Sequence, residues 1–281
     1  MVESTTQPLE SNIRRIIALV AYDGTEFCGF QYQIGQPSIQ ATLEEALNKF
    51  CRVHRRIVGS GRTDTGVHAT GQVIAATVEW KHSLQAFQQA WNVHLPKSVV
   101  IRDVCVVPEP FHPRFSALKR TYCYYVINRL AVESSVQQRS PLTDRFALFE
   151  STPLDVGAMQ MASNTLVGMH DFATFGQPTQ GENTVREVYE AKWLVYENGL
   201  PLLTTSRECV VVFTISANGF LRHMVRNIVG TLLEVGRGKT LAGHIETVLQ
   251  LRQRSLSAAP APGKGLVLEH VSYPAEWNLS F

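Results

Sequence analysis

Asp64 is the residue with the clearest chemical potential in this chain. It stands in Ser60-Gly61-Arg62-Thr63-Asp64-Thr65-Gly66-Val67-His68-Ala69, two residues after an arginine and between two glycines. Glycine takes backbone angles that other residues resist, so this loop can turn sharply and present a carboxylate into a cleft. The plainer alternative is a hairpin with a solvated aspartate in its turn. Three basic groups bear on the choice: Arg52, Arg55, Arg56 and Arg62; Arg114, Lys119 and Arg120; Arg222 and Arg226. Dispersed, they are ordinary surface charge. Converging in space, they would track phosphates.

Several chemistries fail on spacing. Gly61–Gly66 matches the first half of a phosphate-binding loop, but Val67-His68 follows where Lys and Ser/Thr are needed. Gly238-Lys239-Thr240 has the second half, with Leu233 in place of the first glycine. No G-x-S-x-G elbow occurs, and nine His form no H-E-x-x-H pair. A two-metal nuclease or a glycosidase would need a second carboxylate that spacing does not supply. A lone Asp with arginines and aromatics suits a carboxylate acting on a base or sugar drawn out of a stack.

The elements that would position these groups follow from periodicity. Strands are expected at Ile16–Tyr22, Arg56–Ser60, Gln72–Trp80 and Val99–Val107. Helices are expected from Ile39, capped by Ser38, and over Leu84–Val93. This is β-α-β-β-α-β, the split pattern of ferredoxin-like units. The order repeats in strands at Lys119–Ile127, Val185–Tyr196, Cys209–Ala217 and Leu266–Tyr273, with helices at Leu154–Leu166, Phe220–Val235 and an added Leu241–Leu251. The expected class is α+β: two ferredoxin-like halves, 15–112 and 113–281, sharing a central mixed or antiparallel sheet with a cleft between them. A helix from Phe220 would put Arg222 and Arg226 on one face, four residues apart. The segment 128–145 shows no period and is expected to be an insertion or a long loop.

Composition sets bounds. A chain of 281 residues with 44% hydrophobic and 18% charged residues carries a real core. Five scattered Cys argue for reduced thiols. No apolar run nears the ~20 residues of a membrane span, and the polar start has no signal-peptide core. Residues 1–14 are expected to be a flexible tail, and the chain is expected in the cytoplasm.

The loop Ser60–Ala69 also resembles the signature loop of the tRNA pseudouridine synthase A (TruA) family, with Thr65 where Ala is usual. Tyr22-Asp23-Gly24-Thr25 through Phe30-Gln31, Phe111-His-Pro-Arg-Phe-Ser-Ala117, Arg120-Thr-Tyr122-Cys-Tyr124, Gly168-Met-His170-Asp171-Phe172, Phe220-Leu-Arg-His-Met-Val-Arg226-Asn227-Ile-Val-Gly230 and Gly265-Leu266-Val267-Leu268 extend the similarity, in family order. Phe30 stands where Trp is usual and Pro113 where Ala is usual.

The resemblance implies the pseudouridine synthase fold. It implies an enzyme that isomerises uridine to pseudouridine in the anticodon stem-loop of tRNA, at positions 38, 39 and 40, with no metal and no cofactor. It further implies a homodimer in which one tRNA touches both subunits. It assigns Asp64 as catalytic carboxylate and Arg226 as its partner. Arg62 would displace the base, Tyr122 would stack on the flipped uracil and assist proton transfer, and Leu266 would wall the base. Arg114, Lys119, Arg120, Arg222, His170 and Phe172 are further candidates for RNA contact, and His68 reads as structural. Two other classes fit the sheet and the basic groups: an RNA-binding module without catalysis, and an RNA glycosidase that releases the base. A carboxylate in a phosphate-binding cleft repels its ligand, which disfavours the pure binder.

Overall fold

The apolar run near the start forms β1, Ile13–Tyr22. In the computed structural model, which describes residues 12–129, 140–178, 181–197 and 208–279, it is followed by α1 (Ile39–Leu47), β2 (Arg52–Gly59), β3 (His68–Glu79), α2 (Leu84–His94) and β4 (Val99–Val106). Ser38 Oγ caps α1 by accepting from Ala41 N, and Ser83 caps α2 through Ala86 N. Each satisfies an amide that the first helical turn leaves unpaired. The strands pair antiparallel in the order β4-β1-β3-β2.

The second half repeats this plan. It contains β5 (Lys119–Arg129), β6 (Leu148–Glu150), α3 (Val156–Asn164), β7 (Gly168–Asp171), β8 (Val185–Tyr196), β9 (Glu208–Ala217), α4 (Met224–Gly236), α5 (His244–Leu251) and β10 (Leu266–Ser272). Its main order, β10-β5-β9-β8, is again antiparallel and matches the first half strand for strand. β2 pairs with the far part of β3, Ile74 to Glu79. The start of β3 is therefore open to β10, which pairs parallel to it at Val267–His68 and Leu268–Ala69. The result is one mixed sheet of ten strands among the described residues.

Side chains alternate across β5. Tyr122, Tyr124 and Val126 join a large apolar cluster that includes residues of all five helices and of both halves. Cys123 and Ile127 join a smaller cluster with Val210, Val212 and Ala147. The short segment ending in β6 thus contributes to the second face.

Several expected boundaries move. β2 starts at Arg52 rather than Arg56, because Arg52–Arg56 is a mostly exposed edge with no apolar period. β3 starts at His68 rather than Gln72, held there by the long-range pairing to β10. β6 and β7, three and four residues long, were not anticipated. The expected tail is shorter, since Ile13 and Arg14 belong to β1, while 1–11 lie outside the described residues. Of the segment 128–145, residues 130–139 lie outside them too, and 128–129 close β5. The turns after residue 140 dock near the junction, with Arg145 Nε on Asp23 Oδ2 at 2.7 Å and Lys264 Nζ on Asp144 Oδ1 at 2.6 Å.

Candidate active site

The loop carrying Asp64 joins β2 to β3 and is fixed from several sides. Ser60 N donates to Val73 O at 2.8 Å and Ser60 Oγ lies 2.7 Å from Gln72 Oε1. Gln72 Nε2 donates to Gly61 O at 3.0 Å. Tyr22 Oη and Thr63 Oγ1 are 2.8 Å apart, and Phe30 N donates to Thr63 O. Gly66 has φ +72°, a conformation that costs a side-chain-bearing residue energy. A Cβ on Gly24 would lie 2.0 Å from Val67 O, so the Tyr22-Asp23-Gly24 stretch is a cradle for the loop. Gly24 N donates to His68 Nδ1 at 3.1 Å, and burial pushes the His68 imidazole down from its ordinary value. That neutral, accepting ring is structural, as its sequence context suggested.

Asp64 meets the second half at the start of α4. Arg226 Nη1 donates to Asp64 Oδ2 at 3.2 Å, and His223 Nε2 stands 3.6 Å from the same oxygen. Arg226 is itself held, because its Nε donates to Ala261 O at 2.7 Å while Ala261 N donates to Arg226 O. A guanidinium fixed at one edge can aim a carboxylate at the other. The helix begins at Met224, not Phe220, because His223 adopts a left-handed backbone with φ 64°. Arg222 therefore precedes the helix, and the expected face shared with Arg226 does not form. Arg222 N instead bonds to Gln177 O at 2.9 Å.

Tyr122 and Leu266 come from neighbouring strands beside this pair. The Tyr122 ring packs edge-on against Phe220, with centroids 5.1 Å apart, and Leu266 opens β10 with 5% exposure. Burial pushes the Tyr122 phenol well up, and the nearby Tyr22 and Asp64 add to this against the opposing charge of Arg120. The group is a neutral phenol at ordinary pH, suited to stacking and to donating a proton rather than to acting as a phenolate base.

These groups line one open cleft of about 1110 Å³. Its wall includes Arg56, Arg62, Arg114, Arg120, Arg186, Arg222 and Arg226, and Asp64 is its single carboxylate among the described residues. The arginines come from both halves, so members of all three basic groups converge, while Arg52, Arg55 and Lys119 stay out of the cleft and Arg55 lies 3.5 Å from Glu109. Arg120 has a different part from the expected RNA contact. It is 9% exposed, and its guanidinium donates to the carbonyls of Ser60, Arg114 and Asn218. It clamps the Asp64 loop to the segments beside it. Burial, then repulsion by Arg114, pushes Arg186 down.

Two more candidates are not brought to the cleft. Phe172 is fully buried against Phe175, so its side chain has no surface to offer RNA. His170 lies on β7, the strand at one end of the sheet, where its Nε2 is 3.0 Å from Val167 O. The Gly168–Phe172 stretch therefore builds structure at the sheet edge. Pro113, which lacks an amide donor, serves through its carbonyl, which accepts from Tyr273 Oη at 2.7 Å. Thr65 is exposed, so its extra bulk meets no wall.

Sequence reasoning gave no site role to His223, Phe220 and Arg186. The first two lay in a run that reads as continuous helix, and only the left-handed turn at His223 separates them from it. Arg186 sits in a strand whose alternation gives no sign of a cleft.

The chain also has relatives among known proteins. Residues 18–116 and 162–274 match the family described as tRNA pseudouridine synthase. A tRNA pseudouridine synthase A of Roseiflexus castenholzii is 39% identical over 95% of this chain and 93% of its own. That of Chloroflexus aurantiacus is 39% identical over 93% of this chain and 90% of its own. That of Anoxybacillus flavithermus is 38% identical over 93% and 99%.

Proposed function

This chain belongs to the tRNA pseudouridine synthase family, and we propose that it isomerises uridine in the anticodon stem-loop of tRNA, at positions 38, 39 and 40, with Asp64 as the catalytic carboxylate. The observation that carries this reading is the single carboxylate of an arginine-lined cleft, held by Arg226 beside Tyr122 and Leu266. Asp64 is only 25% exposed within the cleft, so in this reading the target uridine leaves its stack to reach it, and exposed Arg62 would take its place. Tyr122 and Leu266 would hold the flipped ring from two sides.

The reaction breaks the C1′–N1 bond, turns the uracil, and forms a C1′–C5 bond. The proton at C5 is released and N1 gains one, so no redox partner is needed. Asp64 has three roles open to it: attack on the sugar, attack on the ring, or removal of a sugar proton. Each uses a free carboxylate oxygen. Arg226 and His223 both address Oδ2, which leaves Oδ1 for the substrate. The neutral Tyr122 phenol would serve proton return at the ring.

The test is incubation with tRNA transcript tritiated at uracil C5, followed by mapping of the modified nucleotides. Tritium release without free uracil, with pseudouridine at 38, 39 or 40, is expected. Free uracil would assign a glycosidase, RNA binding without either product a binding module, and modification elsewhere a different target. The reading includes a homodimer, and a chain that sediments as a monomer with RNA bound would remove that part.

A further inference from the structure

The turn between the two halves carries an apolar ring that the core does not use. Phe115 is 72% exposed and lines the same cleft as Asp64. A large exposed aromatic is informative when it is held in place. The His112 ring lies against it with centroids 4.4 Å apart and 33° between planes, and the Arg114 guanidinium stands 5.6 Å from its centre. The turn is rigid. Ser116 N donates to His112 O, His112 N donates to Ser116 Oγ, and His112 Nδ1 accepts from the amides of Arg114 and Phe115. Fully buried Phe111 anchors its entry. Arg120 then donates to Arg114 O at 2.5 Å and to Ser60 O at 3.0 Å. The Phe115 ring is therefore tied to the loop that carries Asp64.

We propose that Phe115 is a substrate-positioning residue whose exposed ring stacks on a nucleobase flanking the target uridine. The inference rests on the RNA isomerase reading above. The occupant follows from the surroundings: the cleft wall around the ring is lined by arginines, including Arg114 and Arg186, and an apolar peptide would gain nothing from them. A polyanion with flat apolar faces uses both. Stacking accepts any base, because every base has a π-face. Held at a fixed place relative to Asp64, the stacked neighbour would set the register in which the target uridine meets the carboxylate.

The experiment compares Phe115→Ala, Phe115→Leu and Phe115→Trp on synthetic stem-loop RNA, with abasic nucleotides placed in turn on either side of the target. Phe115→Ala is expected to raise KM on the order of tenfold to a hundredfold, the range of one lost base–aromatic stack, with a much smaller effect on kcat. Phe115→Trp should retain the parent KM and Phe115→Leu should not. One abasic position should cost the parent the same factor and cost Phe115→Ala nothing further. Equal performance of the Leu variant, or no abasic position coupled to residue 115, would overturn the proposal. A changed sedimentation coefficient with unchanged KM would also overturn it, by assigning the ring to a protein contact. If the parent chain releases no tritium from any tRNA, the functional reading fails instead, which is a separate outcome.

Discussion

At the scale of single residues, the site is a carboxylate given direction by one cation. Arg226 is 18% exposed and held by Ala261, so its planar fork reaches Asp64 in one orientation. A lysine carries the charge without the fork. Arg226→Lys is expected to lower single-turnover tritium release on the order of 10²-fold, the cost of misplacing a reacting group by about 1 Å. Unchanged turnover would count against the pair. His68 supports the same loop by a different route. Burial holds its imidazole below the ordinary value of about 6.5. Above that pH the ring is neutral in the folded and unfolded chain and contributes no pH dependence. As pH falls below it, the unfolded chain takes up the proton first, so stability declines until the folded ring is protonated as well. His68→Gln should therefore show a shallower loss of stability than the parent below about pH 6.5, measured by urea denaturation. Parallel curves would refute this.

At the scale of elements, the family motifs are explained by what they touch. The Tyr22-Asp23-Gly24 stretch presses on the Asp64 loop so closely that Gly24→Ala is expected to cost about 1–3 kcal/mol, the usual range for overpacking, and to depress turnover by displacing Val67. Thermal unfolding together with tritium release checks both effects, and an Ala variant equal to the parent would show that the cradle yields freely. This layer was largely legible in the sequence. Strong periods gave the βαββαβ order twice, and Ser38 gave a helix start. What stayed hidden depended on distance in the chain. The first residues of β3 are held as strand by β10, which arrives some two hundred residues later, as well as by the end of β1, and α4 starts late because His223 turns left-handed, which no local pattern announces. Phe172 is expected among the RNA contacts with its motif, yet tertiary packing buries it. Arg120 looked like an RNA contact because it is an arginine, yet three backbone carbonyls occupy it.

At the scale of the whole molecule, two similar sheets meet at two residue pairs, and the carboxylate of one faces the arginine of the other. The proposed site therefore needs both halves in one arrangement, and the apolar cluster that spans them supplies it. The cleft gathers positive charge from both sides, so RNA affinity should fall steeply with salt. Arg222→Ala is expected to reduce the slope of log affinity against log salt by roughly 0.7–0.9, one phosphate contact. An unchanged slope would place Arg222 outside the RNA path. The central claim is that Asp64 performs the chemistry while the arginines bind. The most direct measurement is tritium release by Asp64→Asn, a change that keeps the shape of the side chain and removes its charge, alongside RNA affinity measured on the same protein. The account predicts no detectable release with affinity nearly that of the parent; release at the parent's rate, or a collapse of affinity together with activity, would contradict it.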